Sequence, residues 1–454
     1  MDAAAGTERS GHHGPCGRQP CGAGDSCSGC YSCLTAARAC ARACARPCRG
    51  PHAGDAVGPA KAMRQSAALG CDARPRRALF IVSRYGHDPR AAGGDVQGTT
   101  FARWLAEDGW DVTYLTSTCR GAPASGRDGR VRLLRVPRTA LAMVAPLVHR
   151  STGPWDLVYG ELLGGAGPVL FLPPLYRPSP IMLAWYQVNA PLLQAQLGRR
   201  LGRLAAHLER VVPHLCHGTL VVTPSEARRR DLLALGLPPR RVMAVPPSAV
   251  TLCPDAASDE ERPPLFVWLG KLRRYKAPQV AVAAMTLLLQ RCPDACLVIA
   301  GRREDRSLLR ELARMAAPLP PGRVRIVTDI DEDTKHRLVH GARALVVTSP
   351  VEGFSIAALE AARCGTPVIG TYGVPDDMLT HGRNGLKVPY GDAHALAEAM
   401  ALLAGSSPLW RELSEGSRER AACYHPEAVR ARLREAVARA VSLLGRGRSQ
   451  GGRD

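Results

Sequence analysis

The sequence predicts an α/β protein of two doubly wound domains that face a cleft. Three observations predict it. Short apolar runs of strand length alternate with helical segments from residue 78 onward, the alternation breaks at the Pro-, Asp- and Glu-rich stretch Thr251–Pro264, and it then restarts. A chain of 454 residues has length for two to three domains, each able to bury a core of its own.

In order along the chain, Ala78-Leu-Phe-Ile-Val-Ser83 reads as a parallel strand buried on both faces. A polar, glycine-rich segment follows from Arg84 to Gly98, then a helix over Thr99–Asp108 that ends at Gly109. Further strands are expected at Asp111–Thr116, Val131–Arg135, Asp156–Gly160, Ile181–Trp185, Thr219–Thr223 and Arg241–Val245. Ser225 suits the N-cap of a helix ending at Gly236. After the break, strands are expected at Leu265–Leu269, Cys296–Ala300, Arg323–Val327, Ala344–Thr348 and Pro367–Gly370. The intervening helices are Pro278–Arg291, Ser307–Ala316, Asp333–Gly341, Phe354–Arg363 and Ala393–Ala404. Pro278 fits a first helical position, where a missing N–H costs nothing. The domain boundaries that result are a tail over 1–75, a first domain over 76–255, a second over 256–425, and a C-terminal helix and tail over 426–454. Ligands of such sheets bind at the carboxyl ends of the strands, so the cleft is the expected site.

Composition narrows the classes. The formal charge of +20 suggests nucleic acid, yet only five of the 60 basic residues are lysines (Lys61, Lys271, Lys276, Lys335, Lys387). The arginines are scattered without aromatic platforms, as in a GC-biased gene, and nucleic-acid binding is not expected. No run of about 18 apolar residues stands anywhere, and the N-terminus lacks a basic start followed by an apolar stretch. A cytoplasmic location is therefore expected, with the arginine-bearing stretch Leu197–Arg210 as a candidate amphipathic helix for peripheral membrane contact. Eight of the 16 cysteines precede residue 50, among them Cys27, Cys30, Cys33 and Cys40, Cys44, Cys48. Thiolates at such spacing can share a zinc ion, but the spacing completes no zinc or iron–sulfur pattern. The Gly-, Ala-, Arg- and Pro-rich composition without apolar periodicity predicts a disordered tail instead. Met63, just before the first strand, is a second candidate start.

Chemistry concentrates in Thr348-Ser-Pro-Val-Glu-Gly-Phe-Ser-Ile-Ala-Ala-Leu-Glu360. A strand ends, a turn carries Glu352 and Gly353, and a helix begins near Phe354, with Glu360 about two turns in. Free N–H groups and the dipole of a helix start attract an anion, and Gly353 permits close approach of a phosphate. A carboxylate at Glu360 can accept two bonds from a ribose diol. Separately, either glutamate also reads as an ordinary helix charge. Gly270-Lys-Leu-Arg-Arg-Tyr-Lys276 follows a strand directly and brings two of the five lysines into one loop. Gly93-Gly94 lies between the first strand and its helix.

Together these segments resemble the group 1 (family 4) retaining glycosyltransferases. Glu352 and Glu360, with Gly353-Phe354 between them and Gly365-Thr-Pro-Val368 after, match the E-x7-E signature, and the resemblance runs from about Leu79 to Tyr424. It implies the GT-B architecture of two Rossmann-like domains, with donor in the second and acceptor mainly in the first. It implies that Glu360 holds the donor ribose, that Glu352 contacts the donor sugar, and that the amides near Phe354 and Ser355 touch the diphosphate. Lys271, where the family usually has arginine, and Lys276 would neutralise that diphosphate, and Gly93 and Gly94 would face it across the cleft. Thr223-Pro-Ser-Glu-Ala, Leu235-Gly-Leu-Pro, Gly373-Val-Pro-Asp376 and Asn384-Gly385-Leu386 are lesser, mostly structural echoes. Pro246-Pro-Ser-Ala-Val250 departs from the usual segment. The family histidine after the Ile181–Trp185 strand is also missing; Tyr186 or Gln187 takes its place, or Tyr186 is a wall of the cleft. His214 and His217, at a strand edge, read as structural. The resemblance thus implies transfer of a sugar from a nucleoside diphosphate sugar, as co-substrate, to a hydroxyl of a small-molecule or lipid-linked acceptor. It implies retention and no metal or other cofactor. A degenerate protein that binds nucleotide sugar without turnover, as a subunit of a glycosylation complex, is the other reading.

Overall fold

Ala78, Phe80 and Val82 face one buried cluster and Leu79 and Ile81 another, so β1 (Arg77–Ile81) is covered on both sides. That two-sided burial explains its unbroken apolar sequence. The same rule operates in the second half, where Phe266 and Trp268 face one cluster and Val267 the other. The computed structural model describes residues 74–88, 90–162, 173–188, 200, 203, 204, 207, 209–248 and 262–450, the last six for their backbone alone. The cysteine-rich segment, Met63 and most of the break at 251–264 lie outside the described residues. Of the stretch 197–210, residues 200, 203, 204, 207, 209 and 210 are described, all helical, with Leu204 56% exposed. No helix among the described residues is long and apolar enough to cross a membrane.

The first sheet comprises β1, β2 (Asp111–Ser117), β3 (Ser125–Asp128), β4 (Val131–Val136), β5 (Leu157–Glu161), β6 (Ile181–Ala184), β7 (Thr219–Thr223) and β8 (Val242–Ala244). Its order is β3-β4-β2-β1-β5-β6-β7-β8, parallel except for the edge strand β3. Helices α1 (Gly93–Glu107), α2 (Leu141–Thr152) and α3 (Glu226–Ala234) connect it. The second sheet comprises β9 (Leu265–Leu272), β10 (Cys296–Arg303), β11 (Val324–Thr328), β12 (Ala344–Val347), β13 (Val368–Thr371) and β14 (Gly385–Val388), in the order β11-β10-β9-β12-β13-β14. Its helices are α4 (Pro278–Leu288), α5 (Arg306–Ala316), α6 (Glu332–Gly341), α7 (Ile356–Arg363), α8 (Ala393–Gly405) and α9 (Ser407–Ala422). Two parallel-sheet α/β domains result, as the alternation predicts.

The last helix, α10 (Pro426–Gln450), returns to the first sheet. Val429, Leu433, Ala436, Val437 and Ala440 join the cluster that covers Phe80 and Val82. Arg430 and Arg434 bind the Asp108 carboxylate at 2.6 and 2.7 Å, and Arg430 also donates to the Trp104 carbonyl at 3.0 Å. The cations therefore sit at the C-terminal end of α1, where its dipole favours them.

Local differences from the sequence expectation have local causes. Helix α1 starts at Gly93 rather than Thr99, because Asp95 accepts the Ala92 N–H at 2.6 Å and so closes the first turn of a glycine-rich start. Gly93 and Gly94 are thus the first two residues of the helix, not a loop before it. Helix α7 starts at Ile356, since Ser355 takes φ +79° and the helix therefore does not extend back to Phe354. Glu360 therefore lies about one turn in, not two. Helix α2 contains Pro146, and β14 begins at Gly385, directly after the turn residue Asn384.

Two glycines pack where β9 and β10 lie in register. A Cβ on Gly301 would stand 1.7 Å from the Gly270 carbonyl oxygen. Gly301→Ala is expected to lower stability by about 1–3 kcal/mol through overpacking, read as a lower urea midpoint with an unchanged slope. An unchanged midpoint would show that the strands separate at no cost.

Candidate active site

Each sheet has a switch point where neighbouring connections diverge: β1 lies between β2 and β5, and β9 between β10 and β12. Strand β10 stays paired with β9 as far as Leu272, whereas β12 pairs only with Phe266–Trp268. Residues 269–272 are therefore open on one side, which is the crevice in which ligands of such sheets bind. Two adjoining cavities occupy it, of about 330 and 660 Å³.

The smaller cavity is bordered by Gly93, Gly94, Tyr186, Lys271, Lys276, Glu352, Gly353, Phe354 and Ser355. The larger is bordered by Glu360, Lys335, Glu332 and Arg302, and shares Gly93, Lys271 and Ile356 with the smaller. These ten candidates thus border one continuous crevice, and Gln187, the alternative to Tyr186, borders the smaller cavity as well. From the first domain come Gly93, Gly94, Tyr186 and Gln187; the rest belong to the second.

Lys276 approaches the Glu352 carboxylate at 2.5 Å. Burial opposes the ammonium charge, yet Glu352 more than offsets it and the lysine pKa lies above its ordinary value. The loop carrying Lys276 is fixed from below. Trp268 Nε1 donates to Thr348 Oγ1 at 2.9 Å, and that hydroxyl donates to the Lys276 carbonyl at 2.7 Å. Lys271 lies at the end of β9, 3.6 Å from Glu304, and burial lowers its pKa. Across the crevice it donates to the Arg90 carbonyl at 3.5 Å, beside Arg302, which donates to the Ala91 carbonyl at 3.4 Å.

The Ser355 side chain makes no cap at the start of α7. The first-turn N–H groups of that helix have no intrahelical partner and form an anion site. Phe354 is itself core, edge-on to Tyr424 with ring centroids 4.9 Å apart. Ser225, an N-cap as expected, also donates to the Gly353 carbonyl at 3.0 Å and so joins the two domains beside the site.

Sequence reading missed Lys335. It pairs with Glu360 at 2.9 Å and with Glu332 at 2.5 Å. Burial raises the Glu360 pKa, and the lysine counters that. Three of the five lysines therefore border the crevice, each beside a carboxylate. Scarcity of lysine was the available signal, but pairing of α6 with α7 was not visible.

Tyr186 is half-buried. Its ring is pressed on Gly94, where a Cβ would fall 2.5 Å from the ring, and its carbonyl oxygen lies against Gly353, where a Cβ would be 2.9 Å away. The hydroxyl is bonded within the first domain, to Glu161 at 3.0 Å and the Gly94 carbonyl at 3.1 Å. The ring is a wall, and its hydroxyl is engaged within the first domain. Gly94→Ala is expected to destabilise by about 1–3 kcal/mol, and combining it with Tyr186→Ala to give less than the sum of the two. Strict additivity in denaturant titrations would mean that the contact is slack. Among the described residues, no group of three or more His, Cys, Asp or Glu side chains is placed to hold a metal ion.

Known proteins match both halves of the chain. Residues 263–406 match the family model for glycosyl transferases group 1, and residues 92–248 match that for a glycosyl transferase 4-like domain. A D-inositol 3-phosphate glycosyltransferase of Jonesia denitrificans is 32% identical over 163 residues, covering 35% of this chain and 38% of that one. A glycogen synthase of Mycobacterium tuberculosis is 31% identical over 139 residues, 30% of this chain and 33% of that one. The matches thus span about a third of the length of these curated relatives. Among solved structures, sucrose-phosphate synthase of Thermosynechococcus elongatus aligns with TM-score 0.64 at 21% identity, over 80% of this chain and 98% of that one. Anabaena HepE in complex with UDP and glucose aligns with TM-score 0.61 at 15% identity, over 80% and 99%. At such identities the structures establish a shared GT-B fold.

Proposed function

The chain belongs to the group 1 (family 4) glycosyltransferases, and from that premise we propose that it moves a sugar from a nucleoside diphosphate sugar to an acceptor hydroxyl, with retention at the anomeric carbon. The observation that carries this reading is the crevice itself, where Lys276, Glu352 and the uncapped start of α7 surround one small cavity and Glu360 borders the next.

In this reading the diphosphate lies at the N–H groups of α7 and the nucleoside in the larger cavity, with the ribose on Glu360. The sugar occupies the smaller cavity between Glu352 and the Tyr186 ring. As the anomeric bond breaks, charge develops on the departing diphosphate, and Lys271, Lys276 and the α7 dipole stabilise it. Because Lys276 is already paired with Glu352, it is held in place before the donor arrives. The arriving phosphate shares that cation rather than ordering it. Retention without a committed protein nucleophile is consistent with attack by the acceptor on the leaving-group face, as the family resemblance implies. The acceptor, small or lipid-linked, approaches from the first domain. The chemistry assigned to these residues calls for no metal or other cofactor.

The test is nucleoside diphosphate release with a panel of UDP-, GDP-, ADP- and dTDP-sugars, followed by NMR of the product's anomeric configuration. UDP-glucose is the first donor to try, given the HepE structure with UDP-glucose. One donor turned over with retention is the expected outcome. Tight nucleotide binding without turnover would replace the reading by a non-catalytic binding subunit, and absence of nucleotide binding would reject both.

A further inference from the structure

Behind the wall of the smaller cavity lies a carboxyl group that the transfer reading leaves unused. Glu161 is the last residue of β5 and 1% exposed. Its Oε1 is 3.0 Å from the Tyr186 hydroxyl, which is also 3.1 Å from the Gly94 carbonyl and 3.2 Å from the Tyr159 hydroxyl. A phenol carries one proton. With Glu161 ionised, carboxylate and carbonyl compete for it. With Glu161 protonated, the acid donates to the phenol oxygen and the phenol donates to Gly94, so every contact is satisfied at once.

The surroundings favour the second state. Asp95, in the first turn of α1, is the facing carboxylate; it accepts the Ala92 N–H at 2.6 Å and the Arg84 N–H at 3.1 Å. Tyr159 on β5 itself and Tyr114 on β2 are phenols whose own pKa values are raised by burial first and then by Glu161. Arg84, beyond β1, and Lys271, on β9, act on Asp95. The partners of Glu161, the Tyr186 hydroxyl and the Ser83 backbone, are uncharged. Burial, and then Asp95, push the Glu161 pKa up to about 8.

We propose that Glu161 is a positioning residue for glycosyl transfer, donating its proton to Tyr186 so that the Tyr186 hydroxyl is held on the Gly94 carbonyl and the ring forms a fixed wall against the reacting sugar. This rests on the transfer reading of the crevice. Ionisation of Glu161 breaks the relay on the first-domain side, while the nucleotide contacts on the second-domain side persist. Turnover therefore falls as pH rises through that ionisation, and UDP affinity does not follow it.

The experiment compares pH profiles of kcat for the full chain, Glu161→Gln and Tyr186→Phe, with UDP affinity measured by calorimetry in parallel. Wild type is expected to show a basic limb with a midpoint near 8. Glutamine, whose amide donates at every pH, keeps kcat near neutrality within about threefold and removes that limb. Tyr186→Phe lowers kcat and removes it too. The same basic limb in Glu161→Gln overturns the proposal while leaving the transfer reading intact. UDP binding without turnover in the wild type, at every pH, overturns the transfer reading and this role with it.

Thermal unfolding supplies an arm independent of activity. The folded pKa lies above the unfolded one, so the folded state binds the extra proton between about pH 4.5 and 8, and stability falls across that window as pH rises. The melting temperature of Glu161→Gln should gain on wild type from pH 5 to 8.5. A pH-independent difference would mean that Glu161 is ionised throughout, which also overturns the proposal.

Discussion

Glu360→Ala is expected to weaken UDP binding by about 100-fold or more. Two charge-assisted hydrogen bonds to a ribose diol are worth about 1.5–3 kcal/mol each, and about 1.4 kcal/mol is tenfold in affinity. The change should spare the fold, because Lys335 retains Glu332 at 2.5 Å and is not left as an unpaired buried cation. Thermal unfolding without ligand therefore checks that the loss is one of binding. The pH dependence has a definite sign. Burial raises the Glu360 pKa despite Lys335, so the wild-type carboxylate takes up its proton at a higher pH than a free glutamate. UDP affinity should weaken on acidification through that pKa, and Glu360→Gln should lack this dependence. An unchanged UDP dissociation constant in Glu360→Ala would end the assignment of Glu360 to the ribose.

Lys276→Met is expected to cost about 10²–10³ in kcat, the scale of removing one preorganised group that meets developing charge. Two effects add. In the proposed transfer, the cation set against the departing diphosphate is gone, and Glu352, 9% exposed, loses its partner beside the incoming phosphate. The second effect can be separated. Lys276→Met/Glu352→Gln should recover part of the UDP affinity lost by Lys276→Met while recovering little turnover. Unchanged kcat in Lys276→Met would make the pair a structural ion pair and nothing more.

The parts of this site that lie close in sequence were legible. Glu352, Gly353 and Glu360 stand within one strand–turn–helix, so their spacing carries their geometry. Lys271 lies at the end of one strand and Lys276 just after it, and the strand alternation placed both sheets. Contacts made through sheet order were not legible. Glu161 and Tyr186 meet because β5 and β6 are neighbours, and Lys335 meets Glu360 because α6 packs beside α7. Pro146 hid α2, since proline argues against a helix interior. Asn384 reads as a turn residue, yet it is fully buried and bridges the Thr380 N–H and the Met378 carbonyl at 2.8 Å each, which leads the chain directly into β14. Asp95 was likewise unremarkable in the sequence, although its two backbone bonds set where α1 begins.

The return of α10 to the first sheet has a practical consequence for anyone who divides this protein. The first body is not a continuous segment of the gene: residues 74–248 expressed alone would lack Val429, Leu433, Ala436, Val437 and Ala440 from their own core. A stable fragment of the first domain therefore needs the stretch from Pro426 onward fused or supplied in trans. Likewise, a truncation that removes α10 would be felt first around β1, some 350 residues upstream of the cut.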